Sequence, residues 1–189
     1  GYASFYNKIF RGVLLILLVL LVIVTFISKW LVSFFTSSDY LDAWIYIPVL
    51  TLGIFFSCVS GLAGSTFSAV RKSRYFFYSS VYGGLSSIVF NFLLIPLWGI
   101  WGAVLSVVLS FMVMSVSRVA YSWTYVKLTH IPRLLLMLLL TCIYIVSVCL
   151  TGSANSLVAG FITIGLLLLL NCDLLHLLKR KIIKRYIAK

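Results

Sequence analysis

Long apolar segments alternate with short connectors along this chain, and this pattern constrains the fold more than any other feature. The apolar segments occupy residues 12–35, 43–70, 75–95, 99–123, 133–151 and 155–178. A membrane-spanning helix needs about 20 mostly apolar residues, and each segment is close to or above that length. Hydrophobic residues make up 63% of the chain and charged residues only 10%. The pattern predicts an all-α integral membrane protein with a bundle of six transmembrane helices and a basic tail at 179–189.

The charges of the connectors alternate as well and predict the topology. Acidic residues (Asp39, Asp42) lie in the first connector, and the third and fifth connectors carry no charge. Basic residues precede the first segment (Lys8, Arg11), return in the second and fourth connectors (Arg71, Lys72, Arg74; Lys127, Arg133) and fill the tail. Because Lys and Arg accumulate in cytoplasmic loops, we expect both termini in the cytoplasm. Topology also explains the net charge of +12, so no nucleic-acid partner is predicted.

Three of the predicted helices carry small residues at helical spacing. These stripes are Gly53, Ser57, Gly61 and Ser65 in the second helix, Ser80, Gly84, Ser87 and Asn91 in the third, and Gly102, Ser106 and Ser110 in the fourth. Small residues let helix backbones approach closely in lipid. The stripes therefore indicate either helix packing or the lining of a cavity. Pro48 is expected to kink or break the second helix near its start.

The sequence offers little for catalysis. It contains three acids and two histidines, and no Ser-His-Asp, metal-ligand or phosphate-loop pattern. We predict no catalytic residue, no metal site and no cofactor.

Ionisable residues inside a span are costly and often functional, and we single out two places as candidates. Arg118, near the cytoplasmic end of the fourth helix, either holds an anionic group or extends its guanidinium to the interface. Asp173 and His176 lie one turn apart in the sixth helix, where they either couple ion movement or form an interfacial pair with neighbouring cations. The basic turn Arg71–Arg74 is a topological anchor or the point where an anionic lipid headgroup first meets the protein.

Residues 47–126 carry an ordered set of motifs. A Gly/Ser-rich helix, FFSCVSGLAGSTFSAVRKSRYF, includes Gly61 and ends in the basic turn. The stretch SSVYGGLSSIVFNFLLIP follows with Asn91 and Pro96, and LWGIWGAVLSVVLS then supplies Gly99, Gly102 and Ala103. In this order the region resembles the carboxy-terminal half of the polysaccharide flippases, especially the Wzx-like O-antigen flippases, of the multidrug/oligosaccharidyl-lipid/polysaccharide exporter superfamily.

The motif has a physical rationale. Pro96 is expected to end the third helix, because proline disfavours helix in the residue before it. Gly99 would then allow a tight reversal, and Gly102 and Ala103 would let the next helix pack closely. Asn91 would be a buried polar group that needs a partner across the bundle.

The resemblance implies one half of a two-bundle flippase fold around a central cavity. It further implies transport of an undecaprenyl-diphosphate-linked oligosaccharide, such as an O-antigen or capsule repeat unit, across the bacterial inner membrane by alternating access. The implied partners are membrane lipids, the lipid-linked oligosaccharide and a first six-helix half. Arg118, Asn91 and the basic turn are the candidate residues of the substrate pathway.

Three alternatives remain open. A cation-coupled drug or metabolite exporter of the same superfamily would need carboxylates in the cavity, and Asp173 is the only acid in a predicted span. A membrane enzyme of envelope glycan assembly would need an acid–base cluster. A membrane scaffold without transport activity is the third.

The chain begins with Gly1 and not with methionine. We therefore expect the reading frame upstream of Gly1 to encode about six further spans, the number that a two-bundle fold needs. Sequencing the gene tests this, and an in-frame stop codon followed by a local start codon would contradict it.

Overall fold

The chain folds into apolar helices. The computed structural model describes residues 2–36, 38–125, 131–151 and 156–171. The helices are α1 (Tyr2–Phe35), α2 (Tyr46–Ala69), α3 (Ser73–Trp98), α4 (Ile100–Ser122), α5 (Ile131–Thr151) and α6 (Ser156–Leu170), with a 3-10 helix at Ser38–Ile45 before α2. Each of α1 to α5 contains a stretch long and apolar enough to cross a membrane. The chain is thus a multi-pass membrane protein.

The predicted sixth span is described only in part. The described portion of α6 is shorter than a full span. The rest of 155–178 and the tail at 179–189 lie outside the described residues.

Pro48 lies in the first turn of α2, and the break expected there falls just before it. The chain changes from 3-10 to α-helical geometry at Tyr46. The first amide groups of an α-helix have no intrahelical partner, so a proline is tolerated at this place without a lost hydrogen bond.

The prediction that Pro96 ends the third helix is wrong. α3 continues through Pro96 to Trp98 and ends at Gly99. Proline removes a single amide donor and its fixed φ is compatible with a helix, so one proline in the last turn does not stop α3. The chain reverses at Gly99, which has φ +56° and ψ −124°, a conformation that the absence of a Cβ makes accessible.

The reversal at Gly99 brings the end of α3 and the start of α4 into backbone contact. A Cβ at Gly102 would lie 2.0 Å from the carbonyl oxygen of Leu94 and 2.8 Å from the amide nitrogen of Ile95. Further along the pair, a Cβ at Gly83 would lie 2.9 Å from the Cβ of Met114. Glycine at 83 and 102 therefore permits the close packing of this helical hairpin.

The chain divides into two compact units. The central unit comprises residues 27–128, and the terminal unit comprises residues 1–26 and 129–189.

In the terminal unit, a polar contact joins α1 to the end of α6. The Nε of Arg11 donates to Oδ1 of Asn171 at 2.7 Å, and its NH2 lies 3.4 Å from the carbonyl oxygen of Leu170. Asn171 is fully buried and donates in turn to the carbonyl oxygen of Leu167. A guanidinium at the carbonyl end of a helix is electrostatically favourable, so Arg11 stabilises this helix pair.

In the central unit, α4 packs against both α2 and α3. Its stripe of Gly102, Ser106 and Ser110 is buried, which agrees with the packing interpretation of that helix. The hydroxyl of Ser106 donates to the carbonyl oxygen of Gly102 at 2.7 Å, so burial leaves this hydroxyl hydrogen-bonded within the helix.

For α2 and α3 the packing interpretation holds for only part of each predicted stripe. Gly53 is buried against Val107 and Val108 of α4, and Ser80 accepts a hydrogen bond from Arg118, whereas Gly61 and Gly84 do not pack. A Cβ at Gly61 or Gly84 would meet no atom within 4 Å. Their close neighbours are buried, Ser60 and Gly64 in α2 and Ser79 and Gly83 in α3. The reason is that small residues recur every three or four positions on two adjacent faces of these helices, so the positions that contact α4 do not all lie on the predicted stripe.

Aromatic side chains mark both ends of the central unit. At one end, the Lys29 ammonium lies 5.7 Å from the centre of the Trp44 ring, and Tyr46 contacts Trp101 with 4.9 Å between ring centres. At the other end, Tyr75 lies 5.2 Å from Tyr121 and 5.9 Å from Phe67. Aromatic residues concentrate at the two membrane–water interfaces, so these contacts indicate where the central unit meets water.

Candidate functional site

Arg118 is a buried charge between three helices. Its side chain is only 5% exposed. The residue lies four positions before Ser122, the last residue of α4, which corresponds to about 6 Å of helical rise. The side chain is directed between α2 and α3, where it finds its partners.

The guanidinium of Arg118 forms hydrogen bonds with both neighbouring helices. Its Nε donates to the hydroxyl of Ser79 at 3.0 Å, and its NH2 donates to the hydroxyl of Ser80 at 2.8 Å. Its NH1 donates to the main-chain carbonyl oxygen of Ser60 at 3.3 Å. One side chain of α4 thus connects α3 and α2.

A ring and a glycine complete the surroundings of the guanidinium. Its central carbon lies 4.0 Å from the centre of the Phe76 ring, within the range of a cation–π contact. A Cβ at Gly64 would lie 2.8 Å from that ring and 3.5 Å from NH1 of Arg118. Glycine at position 64 therefore makes room for both the ring and the guanidinium.

All of these partners are neutral, so no acid among the described residues balances the charge of Arg118. A guanidinium has five N–H donors, and the hydrogen bonds to described residues use three of them. The hydroxyl of Ser60, which is fully buried, has no hydrogen-bond partner among the described residues. Two donors and one hydroxyl therefore remain for a further group.

The chemistry of that further group follows from the donor set. A guanidinium offers a planar fork that matches the oxygens of phosphate or carboxylate, and charge-assisted bonds are about twice as strong as neutral ones. Burying a charge without a counter-charge is costly. An anionic oxygen group that enters this site would supply the missing charge.

Asn91 is not part of this arrangement, and the expectation of a partner across the bundle is wrong. Its side-chain amide donates to the carbonyl oxygen of Ser87 in the same helix at 2.9 Å. It also lies eleven positions beyond Ser80 along α3, about 17 Å by helical rise. The hydroxyl of Ser87, 3.4 Å away, provides a second local partner, so no contact across the bundle is needed.

The basic turn lies apart from the buried guanidinium. Arg71, Lys72 and Arg74 are exposed at the junction of α2 and α3. Ser79 follows Ser73, the first residue of α3, by six positions, or about 9 Å of rise. The other predicted pair, Asp173 and His176, lies outside the described residues.

Sequence reasoning missed Ser60, Ser79 and Phe76 as neighbours of Arg118. Ser79 and Ser80 are adjacent in the sequence. Two consecutive hydroxyls at a similar depth in the membrane to Arg118 are the feature from which these partners could have been predicted. Nothing in the sequence distinguishes Phe76 from the other phenylalanines of the chain. Among the described residues, no group of three or more His, Cys, Asp or Glu side chains lies together as a metal site.

Comparisons of the chain with protein-family models, with curated proteins and with solved structures gave no match. The functional argument therefore depends on the residues themselves.

Two glycines of α2 offer a matched test of the site. We expect Gly64→Ala to destabilise the protein by about 1–3 kcal/mol, because the new methyl group must displace Phe76. Gly61→Ala, three positions away in open space, is expected to be neutral or to stabilise by up to about 1 kcal/mol through helix propensity. Thermal unfolding of both variants in one detergent measures the difference, and equal melting temperatures would contradict the close packing around Phe76.

Proposed function

We propose that this chain is part of a lipid-linked glycan flippase of the bacterial inner membrane. In this proposal it forms the second six-helix half, with both of its termini in the cytoplasm. The full-length transporter moves an undecaprenyl-diphosphate-linked oligosaccharide to the outer leaflet by alternating access.

The observation that supports the proposal best is the environment of Arg118. The guanidinium is buried, its hydrogen-bond partners are neutral, and two of its donors have no partner among the described residues. A diphosphate linker carries the anionic oxygens that such a fork binds. The diphosphate of such a cargo would balance the charge of Arg118 while the cargo is bound, and the charge would again be unbalanced once the cargo is released.

The position of Arg118 along α4 suits the cytoplasmic side of such a pathway. In the proposed orientation the guanidinium lies about 6 Å inside the cytoplasmic end of α4, close to the inner-leaflet headgroups. Ser79 and Ser80 hold the guanidinium in place before the cargo arrives, and the free hydroxyl of Ser60 provides a further donor for a phosphate oxygen.

The distribution of acids favours this cargo over a cation-coupled exporter. The acids of the central unit are Asp39 and Asp42, and both precede α2. Arg118 lies at the other end of that helix, beside Ser60 and Gly64. A cation-coupled mechanism would need a carboxylate within the cavity, whereas an anionic cargo needs the cation that is present.

A charge substitution tests the proposal. We expect Arg118→Gln to lower export of surface glycan at least about tenfold, because charge-assisted hydrogen bonds to phosphate contribute about 1.5–3 kcal/mol each. Arg118→Lys retains the charge but loses the fork, so an intermediate loss is expected. Surface glycan is quantified in cells that carry the full-length gene, and the amount of protein in the membrane is measured in parallel to exclude misfolding.

Two cations of the tail provide the control. Lys184→Gln and Arg185→Gln each remove one positive charge and are expected to leave export unchanged. Equal export by these variants and by Arg118→Gln would remove Arg118 from the substrate pathway.

A further inference from the structure

The turn between α2 and α3 carries three cations at the edge of the membrane. The apolar span before it ends at Ala69, and the next span begins at Ser73. Arg71, Lys72 and Arg74 are all exposed. Their side chains therefore lie where the polar headgroups of a bilayer meet the protein.

The backbone of the turn fixes the place of the first cation. Lys72 N donates to the carbonyl oxygen of Phe67 at 3.0 Å, and Arg71 N donates to that of Ser68 at 3.2 Å. These two bonds form a Schellman motif, in which the residue after the cap is usually a left-handed glycine. Arg71 occupies that position with φ +56°. The sequence thus places an arginine where a glycine would relieve backbone strain.

Lys72 is held against an aromatic ring. Its ammonium lies 5.3 Å from the centre of the Tyr125 ring, and a hydrogen bond with Tyr125 raises the pKa of Lys72 above its ordinary value. This contact favours the charged form of Lys72, which a lysine has at neutral pH in any case. Tyr125 also lies 6.3 Å from Tyr75, so the cation is adjacent to the aromatic cluster at this end of the unit.

Among the described residues of this unit, the cations of the turn have no acid nearby to balance them. Within the part of the chain that the structure describes, Arg71 and Arg74 make no hydrogen bond and no ion pair through their side chains. The acids of the central unit, Asp39 and Asp42, precede α2, whereas the turn follows it. The separation is about 40 Å by helical rise, which is several Debye lengths at physiological salt. The balancing anions must come from outside this unit.

We propose that the α2–α3 turn binds the phosphate headgroup of an anionic phospholipid, through Arg71 and Arg74 with Lys72 beside them. The position at the end of two spans and next to interfacial tyrosines favours a lipid over a soluble phosphate. Juxtamembrane cations attract anionic lipids, and guanidinium groups bind phosphate oxygens in pairs. This site is distinct from the buried guanidinium of Arg118 and does not depend on the proposed transport.

The test uses Arg71→Gly, which removes a charge and at the same time relieves the strained backbone. Full-length protein is reconstituted in vesicles of phosphatidylcholine with phosphatidylglycerol, extracted, and examined by native mass spectrometry for retained phosphatidylglycerol. We expect roughly fivefold weaker retention for each charge removed in Arg71→Gly and Arg71→Gly/Arg74→Gln, with an unchanged or higher melting temperature. Arg71→Lys keeps the charge but loses the planar fork of donors, so its retention of lipid is expected to lie between that of the parent and that of Arg71→Gly.

Lys29→Gln is the matched control, because Lys29 is also an exposed cation over an aromatic ring, but at the opposite end of the unit. It is expected to retain phosphatidylglycerol fully. Unchanged retention in the double variant, or an equal loss in Lys29→Gln, would overturn the proposal. Displacement of the lipid from the parent by inorganic phosphate at equal concentration would assign the turn to a soluble phosphate instead. The readout is binding, so its failure would leave the transport proposal untouched.

Discussion

The guanidinium of Arg118 reaches from α4 to hydroxyls of α3 and to a carbonyl oxygen of α2, and the packing of the central unit depends on this contact. In a low-dielectric environment an unsatisfied polar group is expensive. The partners that the buried guanidinium needs come from α2 and α3, so the contact joins these two helices to α4. Three of the buried small residues of α2 and α3, namely Ser60, Gly64 and Ser79, surround the guanidinium.

In this unit, glycines that let the helices approach closely lie along the same helix contact as the buried guanidinium of Arg118. Gly64 and Gly102 remove side-chain volume at the two ends of the α4 contact, and the helices close around the guanidinium without covering all of its donors. If Arg118 were paired with an acid, the pair would have no net charge and would attract an anion only weakly. Among the described residues, Arg118 is held by neutral groups, an arrangement that suits the proposed passage of an anionic cargo. The exposed cations of the α2–α3 turn act at the surface of the same end, where lipid headgroups are the available anions.

The positions of the helices could be predicted from the sequence, because apolar length alone determines what can span a bilayer. The tight reversal at Gly99 and the buried stripe of α4 follow from glycine and serine spacing. The packed faces of α2 and α3 could be predicted only in part, since small residues lie side by side at 60 and 61 and at 83 and 84, and the sequence does not show which of each pair contacts α4. Asn91 was misjudged because Ser87 satisfies it within its own helix. The hydrogen-bond partners of Arg118 are residues 38 to 58 positions away in the sequence, and contacts at such separations cannot be predicted from a single sequence.

Transport of a lipid-linked oligosaccharide is tested most directly by deleting the full gene in its native host. The quantity to measure is the distribution of that lipid between the two leaflets. A transporter that carries the diphosphate past Arg118 predicts repeat units trapped on the cytoplasmic side and loss of surface glycan. Single repeat units accumulating on the periplasmic side would contradict transport and indicate a polymerase. An unchanged leaflet distribution with normal surface glycan would show that the protein does not transport a lipid-linked oligosaccharide.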